Sequence, residues 1–157
     1  MAKKPRISVA SDHAGFDLKK DIVIHLHNAG YEVHDWGVKS GKVNVDYPDY
    51  AALVVKDMLK GWADRGILVC GTGIGMSIAA NRFDGIRAAV VHDITTAEVA
   101  ARHNHANILC LGGRITAPHL GVQLVQKWLD SPFEPRHKER LRLIEKHARK
   151  LADSGKS

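Results

Sequence analysis

Five times along this chain a short apolar run gives way to a segment with helical spacing. That alternation limits the fold more than any other feature. The apolar runs are 6–11, 31–36, 66–70, 86–91 and 107–111. The helical segments are 17–29, 50–60, a stretch after the glycines that follow residue 70 to about 82, then 95–103, 120–129 and a last helix over 138–151. Gly30 closes the first helix, 37–48 is a longer loop, and Gly112-Gly113 stops the fifth run. Strands joined through helices lie parallel, and the helices cover both faces of their sheet. The expected fold is therefore α/β: a Rossmann-like three-layer α/β/α sandwich around a five-stranded parallel sheet, with an extra C-terminal helix. No linker or repeat interrupts residues 1–157, so one domain is expected, ending in a basic helix and tail over 134–157. Strand order cannot be read from alternation alone.

In open α/β sheets ligands bind beyond the carboxyl ends of the strands. The third run ends there in Cys70-Gly71-Thr72-Gly73-Ile74-Gly75. Glycines let the backbone approach a ligand and adopt positive φ. Freed N–H groups with a helix N-terminus behind them form an anion site. A thiol in such surroundings gains thiolate character, so a base would adjoin an oxyanion hole. Two other readings compete. The pattern G-x-G-x-G is one residue short of the dinucleotide fingerprint, although Asp93 falls about where a ribose-binding acid would. The loop also fits a tight packing turn with Cys70 as a small buried hydrophobe.

The other runs deliver further candidates. Asp12-His13 follows the first, a carboxylate beside an imidazole that suits proton transfer or hydroxyl binding, though Asp also caps helices well. His92-Asp93 follows the fourth with the same ambiguity, and Arg114 follows the fifth. His103 ends a helix, where the dipole favours imidazolium. The doublets His25-x-His27 and His103-x-His105 lack the accompanying spacing of a metal site, so no metal is expected. Arg136 and Arg140 share a helix face, and two guanidinium forks suit a phosphate. Leu141, Ile144, Ala148 and Leu151 make an apolar stripe for docking on this domain or on a neighbouring subunit.

Charge narrows the partners. The net charge is +6, and residues 132–157 hold eight Lys or Arg against four acids. No aromatic residue follows Phe133 and no nucleic-acid module is present, so nucleic acid is not an expected partner. Cys70 and Cys110 end or interrupt apolar runs, which argues against a disulfide framework. No signal-like or membrane-length segment is present, so a cytoplasmic protein without a membrane partner is expected.

Together these residues resemble the ribose-5-phosphate isomerase B family and its sugar-phosphate isomerase relatives. The resemblance runs from Ile7 to about Ile144. It is carried by Ala10 to Gly15, Val45 to Tyr50, Ile67 to Asn81, Arg102-His103-Asn104 with Asn107, Leu111 to Arg114, and Arg136-His137 with Arg140. It implies an aldose–ketose isomerase of carbohydrate metabolism, in the pentose phosphate pathway, that moves a proton through an enediolate between ribose 5-phosphate and ribulose 5-phosphate. Allose 6-phosphate, galactose 6-phosphate and tetrose phosphates remain alternative substrates, and a non-catalytic phosphate-ligand module is an alternative of another class. By resemblance Cys70 is the base, and Met76 stands where another branch carries a glutamate. Gly71, Thr72, Gly73, Ile74 and Gly75 form the anion hole. His103 helps to open the sugar ring, with Asp12 and Thr72 assisting. Tyr47 and Asn104 contact hydroxyls, while His13, Arg114, Arg136 and Arg140 hold the phosphate. The resemblance implies no metal or organic cofactor, and a homodimer or dimer of dimers with shared sites. His105 departs from the family, which often has an acid there, and leaves local substrate contacts open.

Overall fold

Three runs of near-continuous apolar sequence form the middle of the sheet. They are β1 (Ile7–Ser11), β3 (Arg65–Cys70) and β5 (Ile108–Gly112), and β1 and β5 are buried throughout. Strands covered on both faces need no alternation of polar residues. Two three-residue strands, β2 (Val33–Asp35) and β4 (Ala88–Val90), form the edges. The order is β2-β1-β3-β5-β4, and every pairing is parallel. The structure, a computed structural model, describes residues 3–155; residues 1, 2, 156 and 157, the ends of the expected 1–157 domain and of its basic tail, lie outside it.

Helices α1 (Phe16–Asn28), α4 (Ile94–Arg102) and α5 (Pro118–Asp130) cover one face. Leu18, Ile22 and Leu26, four residues apart on α1, join Leu124 and Trp128 over Val9, Ile67 and Leu109. Helices α2 (Tyr47–Leu59) and α3 (Ile74–Ala80) cover the other face, where Val54 and Met76 pack on Ala10, Leu68 and Cys110. Each such side chain contributes about 1.5–3 kcal/mol by burial.

This winding fixes the crevice. From β1 the chain turns to one face through α1, whereas from β3 it turns to the other through α3. The carboxyl ends of these neighbouring strands therefore diverge, which is the switch point where α/β proteins bind ligands.

Element order agrees with the sequence expectation, but several boundaries need correction. The loop expected to reach residue 48 ends earlier, because Pro48 sits in the first turn of α2, where its missing N–H costs nothing. The second and fourth strands shrink to three residues, since each edge strand pairs on one side only. Helix α3 stops at Ala80, short of the expected 82. The last helix, α6 (Lys138–Ser154), extends beyond residue 151 and buries none of its side chains. Ile144 and Leu151 of its apolar stripe are 54% and 70% exposed.

Candidate active site

The carboxyl edge is built mainly from backbone. Gly113 N–H donates to the Cys70 carbonyl (2.7 Å) and Arg114 N–H to the Gly71 carbonyl (3.1 Å), tying the turn after β5 to the glycine loop. Gly73 holds φ +81°, a conformation that disfavours any residue with a Cβ. A Cβ there would also lie 3.1–3.2 Å from the backbone of Cys110 and Leu111. Gly73 N–H points at the Cys70 Sγ and donates to it at 3.1 Å. Thr72 Oγ1 accepts from Ile74 N–H at 3.3 Å, which fixes the outer part of the loop.

Side chains close around this turn. A Cβ on Gly75 would meet the Tyr47 ring at 2.7 Å, so only glycine lets that ring lie over the loop. The Arg114 guanidinium passes within 3.5 Å of where a Gly71 Cβ would sit. Asp12 is buried at the end of β1 and accepts from Gly15 N–H (3.0 Å), so the capping role is realised. His13 Nδ1 accepts from Val45 N–H at 3.2 Å, which leaves Nε2 to carry the proton in the neutral ring. Asp12, His13, Tyr47, Cys70, Gly71 to Gly75 and Arg114 thus share one edge.

The two thiols differ. Cys70 faces the loop, whereas Cys110 is fully buried within β5, where burial first and the nearby Cys70 second raise its pKa far above the ordinary thiol value. Cys110 is a packing residue. Asp93 caps α4 through a reciprocal pair of bonds with Thr96, which accounts for it without a ribose.

His103, Asn104, Arg136 and Arg140 lie elsewhere. Helix α4 starts at the carboxyl edge and runs back, so its C-cap His103 lies at the amino edge of the sheet. Three contacts pin the segment there: Arg87 Nε donates to the His105 carbonyl (2.9 Å), Trp128 Nε1 to the Ala106 carbonyl (3.2 Å), and Arg87 N–H to Asn107 Oδ1 (2.8 Å). Ile108, next in the chain, pairs with Gly66 and Ala88 at the start of their strands. The six residues of β3 separate this edge from Cys70, roughly 16 Å at 3.3 Å per step. The expected joining of His103 with Cys70, and of Arg136 and Arg140 with His13 and Arg114, does not occur within one chain. The winding direction of α4 is the reason.

The amino edge is held by ion pairs around Glu134, which sequence reading missed. Its carboxylate accepts from Arg136 Nε (2.7 Å) and pairs with Arg102. His137 and His103 stand 3.7 and 3.9 Å from it, with their rings 4.4 Å apart. Desolvation works to raise the Glu134 pKa, but the Arg136 and Arg102 hydrogen bonds leave it below the ordinary carboxylate value. Burial, then Arg136, His103 and Arg140, push the His137 pKa down. The only sequence signal for Glu134 was that so basic a stretch needs an internal anion.

His103, Glu134 and His137 bring ligand atoms within 4.8 Å of one another. Arg102 and Arg136, however, occupy both carboxylate oxygens and set two positive charges beside them. The arrangement is an ion-pair network rather than a cation cage.

A doubly wound sheet with a thiol beside an N–H-lined glycine loop at its switch point is an arrangement that suits an enzyme stabilising an oxyanion. Comparison narrows that class. The family model described as Ribose/Galactose Isomerase matches residues 7–144. The Escherichia coli (strain K12) protein named ribose-5-phosphate isomerase B is 43% identical over 140 residues, covering 88% of this chain and 93% of that protein. A Pectobacterium atrosepticum protein named D-erythrulose-4-phosphate isomerase is 41% identical over 128 residues, covering 82% of this chain and 84% of that protein. The solved Thermotoga maritima ribose 5-phosphate isomerase structure aligns with a TM-score of 0.88 at 48% identity, over 92% of this chain and 99% of that one. The chain belongs to the ribose/galactose isomerase family and is a sugar-phosphate isomerase of the ribose-5-phosphate isomerase B type.

Proposed function

We propose that the protein interconverts ribose 5-phosphate and ribulose 5-phosphate in the cytoplasm, with the whole chain acting as one domain and Cys70 as the base. The observation that carries this reading is the 3.1 Å hydrogen bond from Gly73 N–H to the Cys70 sulfur inside the glycine loop. In the reaction the Cys70 thiolate takes the proton from C2 of the open aldose. Electron density moves onto the carbonyl oxygen at C1, and the loop N–H groups from Gly71 to Gly75 stabilise the enediolate. A proton passes from the C2 hydroxyl to the C1 oxygen, and return of the carbon proton from Cys70 to C1 gives the ketose. Asp12 and Thr72 orient the two oxygens in that exchange, and Tyr47 and Asn104 hold the sugar. No step needs a metal or organic cofactor.

The phosphate and the closed sugar ring require the other edge. His103, Asn104, Arg136 and Arg140 reach the sugar held at Cys70 only if a second copy presents its amino edge to the first copy's carboxyl edge. The exposed stripe on α6 supports such a homodimer, or a dimer of dimers, because an uncovered apolar helix face favours association. His13 and Arg114 then meet Arg136 and Arg140 around one phosphate.

The relative named for erythrulose 4-phosphate supports a second reading, isomerisation of a shorter sugar phosphate. A panel of phosphorylated aldoses assayed for ketose formation tests both. Ribose 5-phosphate should give the highest kcat/KM. A tetrose, allose 6-phosphate or galactose 6-phosphate ahead of it would move the substrate and keep the chemistry. No turnover of any of them, with no proton exchange at the sugar carbon, would leave only a phosphate-binding module.

A further inference from the structure

Glu134 is fixed by its own main chain. Its N–H donates to the Arg102 carbonyl at the end of α4 (2.8 Å), and its carbonyl accepts from His137 N–H at the approach to α6 (3.0 Å). The carboxylate is therefore set where two segments meet, one carrying His103 and the other Arg136. Lys127, Glu98, Arg102, Glu134 and Arg136 follow one another as alternating charges, with Lys127 to Glu98 at 3.1 Å and Arg102 to Glu98 at 2.7 Å. Arg136 spends Nε and one Nη2 hydrogen on Glu134 Oε2, both at 2.7 Å. A guanidinium has five donors, so three remain, on a side chain that is 66% exposed.

We infer that Glu134 is a positioning residue, whose carboxylate aims the free donors of Arg136 at the sugar phosphate and sets the His103 ring beside the sugar oxygen. This rests on the proposed function, in which Arg136 binds phosphate and His103 assists ring opening. The physical basis is like-charge repulsion. Arg102, Arg136 and Arg140 crowd one edge, and without the Glu134 carboxylate between them their like charges push Arg136 away from Arg102. Arg136 then recovers its rotamer freedom and loses the orientation that a bidentate phosphate contact needs. His137 Nε2, buried and 3.7 Å from Glu134 Oε2, has no hydrogen-bond partner among the described residues, so it leaves the carboxylate to Arg136 and Arg102.

A rival reading has the opposite sign. If Glu134 merely competes with the phosphate for Arg136, removing its charge frees the guanidinium and tightens substrate binding.

The test is calorimetric titration of ribose 5-phosphate into the full-length Cys70→Ala protein, which binds without turnover. Adding Glu134→Gln should weaken binding by about tenfold or more, the usual effect of losing a charge-assisted contact. Glu134→Asp, which keeps the charge and loses reach, should fall between the two. With Cys70 intact, Glu134→Gln should lower kcat as well as raise KM, because His103 is displaced too. A purely structural residue would change thermal stability and leave that split unmoved. Unchanged or tighter binding in the folded Gln variant overturns the inference. An Arg136→Ala control separates the two levels. If Arg136→Ala leaves affinity intact, the phosphate site itself is wrong. If Arg136→Ala weakens binding and Glu134→Gln does not, only the role of Glu134 falls.

Discussion

The two edges of the sheet solve different electrostatic problems by different means. At the carboxyl edge the candidate charge-stabilising groups are backbone N–H dipoles on a short glycine-shaped turn, and the Cys70 thiol beside them is 5% exposed. At the amino edge they are long cationic side chains arranged on one carboxylate near the surface, with Arg136 66% exposed. Fixed dipoles suit a charge that exists only during the reaction, since they need no reorganisation when it forms. Guanidiniums oriented by a carboxylate near the surface suit a phosphate that is charged throughout and must enter from water. A single chain keeps these two groups of residues a strand length apart.

The largest effect should come from the carboxyl edge. Cys70→Ala should reduce kcat by about 10²–10⁴, as expected for loss of a general base, while circular dichroism and thermal unfolding stay near wild type. Cys110→Ala is the matched control. It should retain kcat and cost about 1 kcal/mol or more of stability through the small cavity it leaves. A normal kcat for Cys70→Ala would break the assignment of chemistry to this edge.

The next effect belongs to the amino edge. Arg136→Ala with Arg140→Ala should lower kcat/KM for ribose 5-phosphate by about a hundredfold, as loss of two charge-assisted contacts predicts. Free ribose should be a poor substrate for the unmodified protein, since it lacks the group those arginines hold. Equal turnover of free and phosphorylated sugar would show that the edge has no phosphate role.

A smaller effect separates the edges by pH. Glu134 titrates below its ordinary value of 4.5 in the folded protein. A depressed carboxylate stabilises the fold above the unfolded value and loses that contribution as pH falls through the folded one. The Tm difference between wild type and Glu134→Gln should therefore shrink as pH is taken below about 4.5. A difference that kept growing below that pH would contradict the ion-pair geometry.

The contrast also explains what could be read before the structure. Three residues at the carboxyl edge were legible because each ends or closely follows an apolar run: Asp12 just after β1, Cys70 at the end of β3, Arg114 two residues beyond β5. The type of fold was legible for the same reason. Strand order was not, because alternation is the same for every winding of the crossovers. His103 and Asn104 could be recognised by their motif but not placed, since their position depends on α4 running back across the sheet. Glu134 belongs to no periodic pattern, and its meaning lies in contacts with α4, about thirty residues earlier in the chain. The early start of α2 at Tyr47 was hidden by Pro48, which is a loop signal except in the first turn of a helix.

Complementation tests most directly whether the two edges meet between chains. Cys70→Ala and Arg136→Ala/Arg140→Ala proteins, each nearly inactive, are mixed, unfolded together and refolded, and isomerisation is assayed. If the carboxyl edge of one copy works with the amino edge of another, each hybrid dimer contains one intact site. Random pairing makes half the dimers hybrid, so activity should recover to about a quarter of wild type. If each site is built within one chain, every site in the mixture carries a defect. Activity would then stay at the level of the separate variants, and the shared-site account would be wrong.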